Sequence, residues 1–300
     1  MSTEKPFFKN IIGSRFDGWT VIRFYTEMYP YATRRQWEAW IEAGRIEMCG
    51  RCARACEILR TGDVLIFFRE ERDEPRVESE YNVVHEDRHI IVVDKPGGLP
   101  VVPCGAYFRN TLLHLLRDGR PGETIHPAHR LDIETSGLVV FTKTRDAARI
   151  LAQAFRDRCV LKEYEAVLLG HLTNEITVEV PIGRVCHPES KNAYGVTNSG
   201  KSATTVFTPI EYFSRRELTL VKAIPETGRT HQIRIHAAHI GFPVLDDTVH
   251  GGMRQFPRPG SHPRRQGRSR LALHATFISF PHPEGKKRFE SQAPDWFRDP

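Results

Sequence analysis

What this 300-residue chain has little of narrows the field first. Six cysteines, at 49, 52, 56, 104, 159 and 186, are too few and too unevenly placed for a disulfide scaffold. No apolar run approaches the ~20 residues a membrane helix needs. Met1-Ser2-Thr3-Glu4-Lys5-Pro6 opens no signal-type apolar stretch. The expectation is a cytoplasmic protein with no membrane association, and no obligate protein partner is evident. Acidic residues are missing altogether from Thr248 to Pro283, where Arg254, Arg258, Arg264, Arg265, Arg268 and Arg270 fall. The net charge of +6 permits an anionic partner such as RNA without demanding one.

What is present concentrates in His129-Arg130-Leu131-Asp132-Ile133-Glu134-Thr135-Ser136-Gly137. A cation, a carboxylate, two hydroxyls and a turn glycine lead into the apolar run Leu138-Val139-Val140-Phe141, which reads as a buried strand. Chemistry at the mouth of a strand is held by rigid structure. A solvated turn with a local ion pair is the plain alternative.

Residues 14–76 read as a small module. Thr33 caps a helix over 34–44 that Gly44 stops, with Trp37, Trp40 and Ile41 at core spacing. Short strands follow around a turn at Cys49-Gly50 and after Gly62-Asp63. The paired arginines Arg34 and Arg35, the turn and the Gly-Asp before a strand resemble the S-four-like RNA-binding domain, although Cys49 stands where that family has Asn. The charge-dense stretch 69–80, broken by Pro75, reads as a linker. The chain is therefore expected to divide into 1–76 and 77–300.

Three strings invite readings that their contexts reject. Cys49, Cys52 and Cys56 have thiolate spacing for zinc but lack a fourth ligand nearby. His231, His236 and His239 lack the i, i+4 pairing and the acid of a helical zinc site. Gly195 to Ser202 satisfies the P-loop pattern, yet no strand pattern precedes it. The β-branched segment Ala203 to Pro209 that follows predicts a hairpin arm, where phosphate binding needs a helix N-terminus.

Four separated motifs share one resemblance. Ile90 to Gly98 is an apolar strand ending in Lys-Pro-Gly, followed by the HRLDxxTSG stretch. Thr227-Gly228-Arg229-Thr230-His231-Gln232-Ile233-Arg234 and Arg270-Leu271-Ala272-Leu273-His274-Ala275 complete the set. In this order they resemble the RluA-type pseudouridine synthases over about residues 81–283. Asp94 and Asp246 depart from the family's Asn and Gly. The resemblance implies an α+β fold, with a mixed, largely antiparallel central sheet behind the small N-terminal α/β domain.

The implied activity is isomerisation of uridine to pseudouridine in rRNA or tRNA, without cofactor or metal. Asp132 is then the catalytic carboxylate, either as nucleophile at C1′ or as the base that takes the 2′ proton. Arg229 is its expected guanidinium partner, favouring the charged carboxylate. Tyr164, in the Lys-x-Tyr strand, would stack on the detached uracil of a flipped-out nucleotide. Arg130 would fill the vacated space in the RNA, Leu271 would pack at the pocket, and Lys201 begins a Gly-Lys-x-Ala-x-Thr strand. Thr135 and Ser136 would brace the loop through backbone bonds. Arg34, Arg35, Arg254, Arg264 and Arg265 are the expected phosphate contacts. Two other readings stand beside this one: an RNA-binding protein that keeps the fold without the chemistry, and a P-loop nucleotide enzyme.

Overall fold

The computed structural model describes residues 7–29, 32–68, 74–186, 193–251 and 271–300. Arg254, Arg264 and Arg265 lie outside the described residues, as does most of the basic segment around them. The chain divides into two compact units, Met1–Asp73 and Glu74–Pro300.

The first unit runs β1 (Phe7–Ile11), α1 (Val21–Met28), α2 (Arg34–Glu42), β2 (Ile46–Met48), β3 (Arg51–Cys52) and β4 (Val64–Phe68). Its antiparallel sheet has the order β1-β4-β2-β3. Helix α2 opens on a reciprocal cap. The Thr33 hydroxyl accepts the Gln36 amide, and the Gln36 side chain accepts the Thr33 amide at 2.8 Å. Trp37 and Ile41 turn inward, with the Trp37 ring 4.7 Å from that of Tyr25 on α1. Cys49 and Gly50 both take left-handed backbone, φ 51° and 83°, in the turn between β2 and β3. That conformation is why an Asn is the more comfortable residue there. Cys49, Cys52 and Cys56 are exposed free thiols, and the metal-capable cluster found among the described residues does not include them.

The second unit holds β5 (Asn82–Glu86), β6 (Ile90–Lys95), α3 (Leu112–Asp118), β7 (His126–Pro127), β8 (Ser136–Thr142) and α4 (Arg145–Arg156). It continues with β9 (Leu161–Leu169), β10 (Ile176–Glu179), β11 (Ile182–Arg184), β12 (Tyr194–Val196), β13 (Thr204–Phe213) and β14 (Leu218–Pro225). Helix α5 (Gln232–His239), β15 (Leu273–His282) and β16 (Gly285–Glu290) complete it. The large sheet has the order β10-β13-β14-β9-β15-β8-β6-β5, with β16 on β15 and β7 on β8. Its pairings are antiparallel except where β15 meets β8. The class is α+β.

Both faces of this sheet are covered, which accounts for its uninterrupted apolar strands. Ile91, Val93, Val139 and Phe141 enter one core, while Ile90, Val92, Leu138 and Val140 enter the other, under α4. Alternation along β6 and β8 thus sends side chains to two dry interiors.

Residues 74–80 are no free linker. The Glu74 carboxylate accepts the amides of Phe108, Arg109 and Asn110 at 2.8–2.9 Å, and Val77 packs on the core. Charge density alone gives no sign that three amides converge on one acid.

The P-loop string leads into strand β13, so no helix N-terminus stands ready to cradle phosphate. Its Gly200 has a different purpose. A Cβ there would lie 2.5–2.8 Å from the backbone of Ile182, which crosses it directly.

Candidate active site

The loop that carries Asp132 is held from below by the Lys-Pro-Gly turn at the end of β6. Lys95 is fully buried, and its ammonium donates to the carbonyls of Pro96 at 2.8 Å and Ile133 at 3.1 Å. The Gly98 amide reaches the same Ile133 carbonyl at 2.7 Å. Burial pushes the Lys95 ammonium down to about 7 against the opposing pull of Asp132 and Asp94. His129 accepts the Val140 amide at 3.1 Å, and burial pushes its imidazole down to about 3. Gly137 closes the loop at φ 109°, where a Cβ would stand 2.4 Å from the Ala275 backbone of β15. Only glycine allows β8 and β15 to approach this closely.

Asp132 then faces a cleft of about 290 Å³ lined by Arg130, Thr135, Tyr164, Arg229, His231, Arg234 and Leu273 among others. That volume is near the lower end for ligand sites, ~300 Å³. Tyr164 is buried on β9 opposite Ala275 of β15, and burial with the nearby Asp132 charge pushes its phenol above the usual range. Arg130 is exposed at the mouth.

The guanidinium beside Asp132 belongs to Arg234. Its Nη1 stands 3.5 Å from Oδ2, and its side chain is 2% exposed. Arg234 also grips Asp247 through both carboxylate oxygens at 2.7 and 2.8 Å and approaches Glu134 at 3.3 Å. Burial raises the Asp247 carboxyl, but the bonds and charge of Arg234 and the amides of His250 and Val249 outweigh it and hold it below the ordinary range. Arg229, the expected partner, lines the same cleft while its Nε donates to the Ser202 carbonyl at 3.0 Å. The cause is the start of α5. His231 caps that helix, so Arg229 precedes it, whereas Arg234 is carried inward in its first turn. The sequence did hold a signal: Arg234 lies between Ile233 and Ile235 in a helix buried from Gln232 to Ala237. A buried arginine needs carboxylates.

The other polar residues of that helix stitch it to β13. Gln232 receives the Thr227 hydroxyl at 2.7 Å and the Arg229 amide at 3.0 Å, and gives its own N–H groups to Thr204 and Thr205. His236 takes a bond from the Thr205 hydroxyl at 2.9 Å and faces the Val180 carbonyl at 3.2 Å.

Three further expectations are corrected. Leu271 lines a separate cleft of about 590 Å³, which takes Glu134 and Ser136 where the first takes Asp132 and Thr135. The leucine on the Asp132 side is Leu273. Its amide bonds back to the Leu271 carbonyl at 2.8 Å, a three-residue turn that breaks strand alternation. Ser136 braces the loop through a side chain: its hydroxyl donates to His274 Nδ1 at 2.8 Å, in a chain continuing through Ser291 to Asp94. The Thr135 hydroxyl is buried and has no partner, so it is not a brace. Lys201 is exposed, pairs with Ile182 through its backbone, and stands apart from the Asp132 cleft.

One cluster among the described residues brings three metal-capable side chains together, Asp87, His282 and Glu284. His282 Nδ1 accepts the Glu284 amide at 3.1 Å, so in the neutral ring Nε2 carries the proton and points at Asp87, 3.3 Å away. A ring in that tautomer turns its N–H on the carboxylate and leaves no lone pair for a metal.

Comparison with known proteins agrees with this architecture. The family model for RNA pseudouridylate synthase matches residues 89–239. The chain is 34% identical over 303 residues to ribosomal large subunit pseudouridine synthase D of Pseudomonas aeruginosa, covering 98% of this chain and 91% of that protein. It is also 34% identical to the protein of that name from Escherichia coli K12, covering 95% and 88%. Among solved structures, human RNA pseudouridylate synthase domain containing 1 superposes with a TM-score of 0.61 at 26% identity, covering 74% of this chain and 86% of that one. A buried arginine aimed at a loop aspartate, a fold shared with solved synthases and identity along nearly the whole chain converge: this protein belongs to the RNA pseudouridylate synthase family and is an isomerase acting on RNA.

Proposed function

We propose that the protein converts uridine to pseudouridine in large-subunit ribosomal RNA, with Asp132 as the reacting carboxylate. The observation that carries this reading is the Asp132–Arg234 pair at the floor of a cleft walled by Tyr164. The relatives' names supply the ribosomal substrate, and a cytoplasmic site of action fits it. Among the described residues no helix is long and apolar enough to cross a membrane.

The reaction breaks the bond from C1′ to N1, joins C1′ to C5, and moves a proton from C5 to solvent while N1 gains one. Asp132 serves it either by attacking C1′ or by taking the 2′ proton, and both routes need a carboxylate, which the Arg234 guanidinium faces at 3.5 Å. The target nucleotide is flipped from the stack to reach this depth. Tyr164 offers its ring to the freed uracil, a surface that retains the base while leaving it free to turn. Leu273 adds apolar contact, and exposed Arg130 enters the space the base has left. The first unit acts as the S-four-like RNA-binding domain through Arg34 and Arg35. The basic segment that includes Arg254, Arg264 and Arg265 adds phosphate contacts.

Tritium release from [5-³H]uridine-labelled transcripts tests this directly. Release from large-subunit rRNA, with none from an Asp132→Asn protein that still binds it, is the expected result. Release from tRNA alone would move the substrate. Binding without release from either RNA would leave an RNA-binding protein.

A further inference from the structure

His231 and His250 stand beside the Asp132–Arg234 pair. His231 takes a left-handed backbone, φ 54°, at the cap of α5, an uncommon conformation for a residue with a side chain. Its Nδ1 lies 2.9 Å from His250 Nε2, with the rings nearly perpendicular at 77°. Its Nε2 faces Oδ1 of Asp132 at 3.8 Å. The His250 amide donates at 2.9 Å to Oδ1 of Asp247, the acid gripped by Arg234. Asp247 therefore anchors both oxygens of Asp132: Arg234 leads to Oδ2, and His250 with His231 leads to Oδ1.

The direction of the imidazole–imidazole bond decides what Asp132 meets. If His231 donated from Nδ1, its Nε2 would turn a bare lone pair on a carboxylate. If His250 donates, His231 carries its proton on Nε2 and presents it to Asp132. The field of the carboxylate selects the second arrangement. The charged groups facing His231 are Asp132, Arg234, Asp247 and Arg130, while His250 faces Asp247, Arg234 and Asp132. Burial lowers both imidazoles, that of His250 to about 4, so the pair is neutral near pH 7 and a single N–H joins the rings.

We propose that His250 is a positioning residue for the isomerisation. Its Nε2–H fixes His231 in the tautomer that turns Nε2–H on Asp132, so the carboxylate meets the ribose in one orientation. This rests on Asp132 being the reacting carboxylate.

Two measurements on the intact protein test it. Long-range ¹H–¹⁵N spectra of the histidines, assigned with His231→Gln and His250→Gln, should show His231 as the Nε2–H tautomer, turning mixed in His250→Ala. Tritium-release kinetics should show kcat falling about 10-fold in His250→Ala, with KM within about twofold. His250→Gln, whose amide can still donate to His231 Nδ1, should recover most of that loss. An Nδ1–H tautomer in the wild type overturns the proposal. So does an unchanged kcat in His250→Ala, or a Gln variant no better than Ala at equal melting temperature. Failure of the underlying reading looks different: the wild type releases no tritium, or Asp132→Asn still does, whatever the tautomer.

Discussion

Asp87 and Asp132 are equally exposed, with 18% and 19% of their side-chain surface open, and they lie toward opposite ends of strand β6. Their surroundings differ in one respect. Asp87 accepts the amides of His89 at 2.7 Å and Ile90 at 2.9 Å and bonds His85 at 3.0 Å, with His282 facing it at 3.3 Å. Asp132 has the Arg234 guanidinium at 3.5 Å and the neutral His231 ring at 3.8 Å, and a buried hydroxyl with no partner, that of Thr135, lines the same cleft. A carboxylate with its donors in place is a strut. One held by charge at longer range keeps its lone pairs for a reactant. Burial alone does not separate the two; completeness of hydrogen bonding does.

The sharpest way to break this comparison is to neutralise each acid. Asp132→Asn should cut tritium release by ~10³–10⁴-fold or more while moving the melting temperature little. Asp87→Asn should leave release within about twofold and cost about 1–2 kcal/mol of stability, read from urea unfolding. If Asp87→Asn abolished release, the distinction between strut and reactant would fall.

The two arginines of the cleft come next. Arg234→Met leaves the buried Asp247 uncompensated, and about 3–5 kcal/mol of stability should be lost along with activity. Arg229→Ala should cost under ~1 kcal/mol and act mainly on KM. Equal effects of the two substitutions would return Arg229 to the place beside Asp132.

Acid titration gives a smaller contrast. His129 and His250 have native pKa values pushed to about 3 and about 4, below the ~6.5 of an unfolded chain, so the unfolded state takes up protons first and stability falls below that pH. Glu86, held at about 2 mainly by its bond from Arg120 against burial, contributes stability above the unfolded value, ~4.3, that is lost as pH falls through its native one. Asp87 and Asp247 are also lowered and act in the same sense. Urea midpoints at several pH values between 7 and 4 should decline throughout, less steeply below pH 5 in Asp87→Asn. The smallest effect is expected of Thr135→Val. It removes an unpaired buried hydroxyl, so stability should hold or rise by up to ~1 kcal/mol, with release reduced a few-fold if that hydroxyl meets the substrate.

Much of the layout is readable from residue pattern alone. Thr33 and Gly44 bracket α2, and the run after Gly137 announces a buried strand. The β-branched stretch after Lys201 announces β13 and disqualifies the P-loop string. What escaped depends on depth and rotation, which a linear motif does not carry. Arg229 and Arg234 occupy the same motif, and only the point where α5 begins decides which of them turns inward. Leu271 and Leu273 are two residues apart, as if on one face of a strand, until a three-residue turn parts them. His250 sits beyond the motifs and reaches Asp132 through another side chain. Helix α1 escaped as well, since Val21 to Tyr25 is rich in β-branched and aromatic residues that read equally as strand.

Strand β15 carries a consequence for how the enzyme comes into being. It is the penultimate strand in chain order, yet it lies in the middle of the sheet between β8 and β9. His274 and its partner Ser136 are 138 residues apart. During synthesis the group β5-β6-β8 and the group β9-β14-β13-β10 can each pair within itself, but the slot between them stays empty until β15 arrives. Closing so long a separation is slow. Asp132 comes from one group, Tyr164 and Arg234 come with the other, and Leu273 comes on the strand that joins them. The Asp132 cleft therefore cannot close until the chain has been made through β15, long after the loop that carries Asp132.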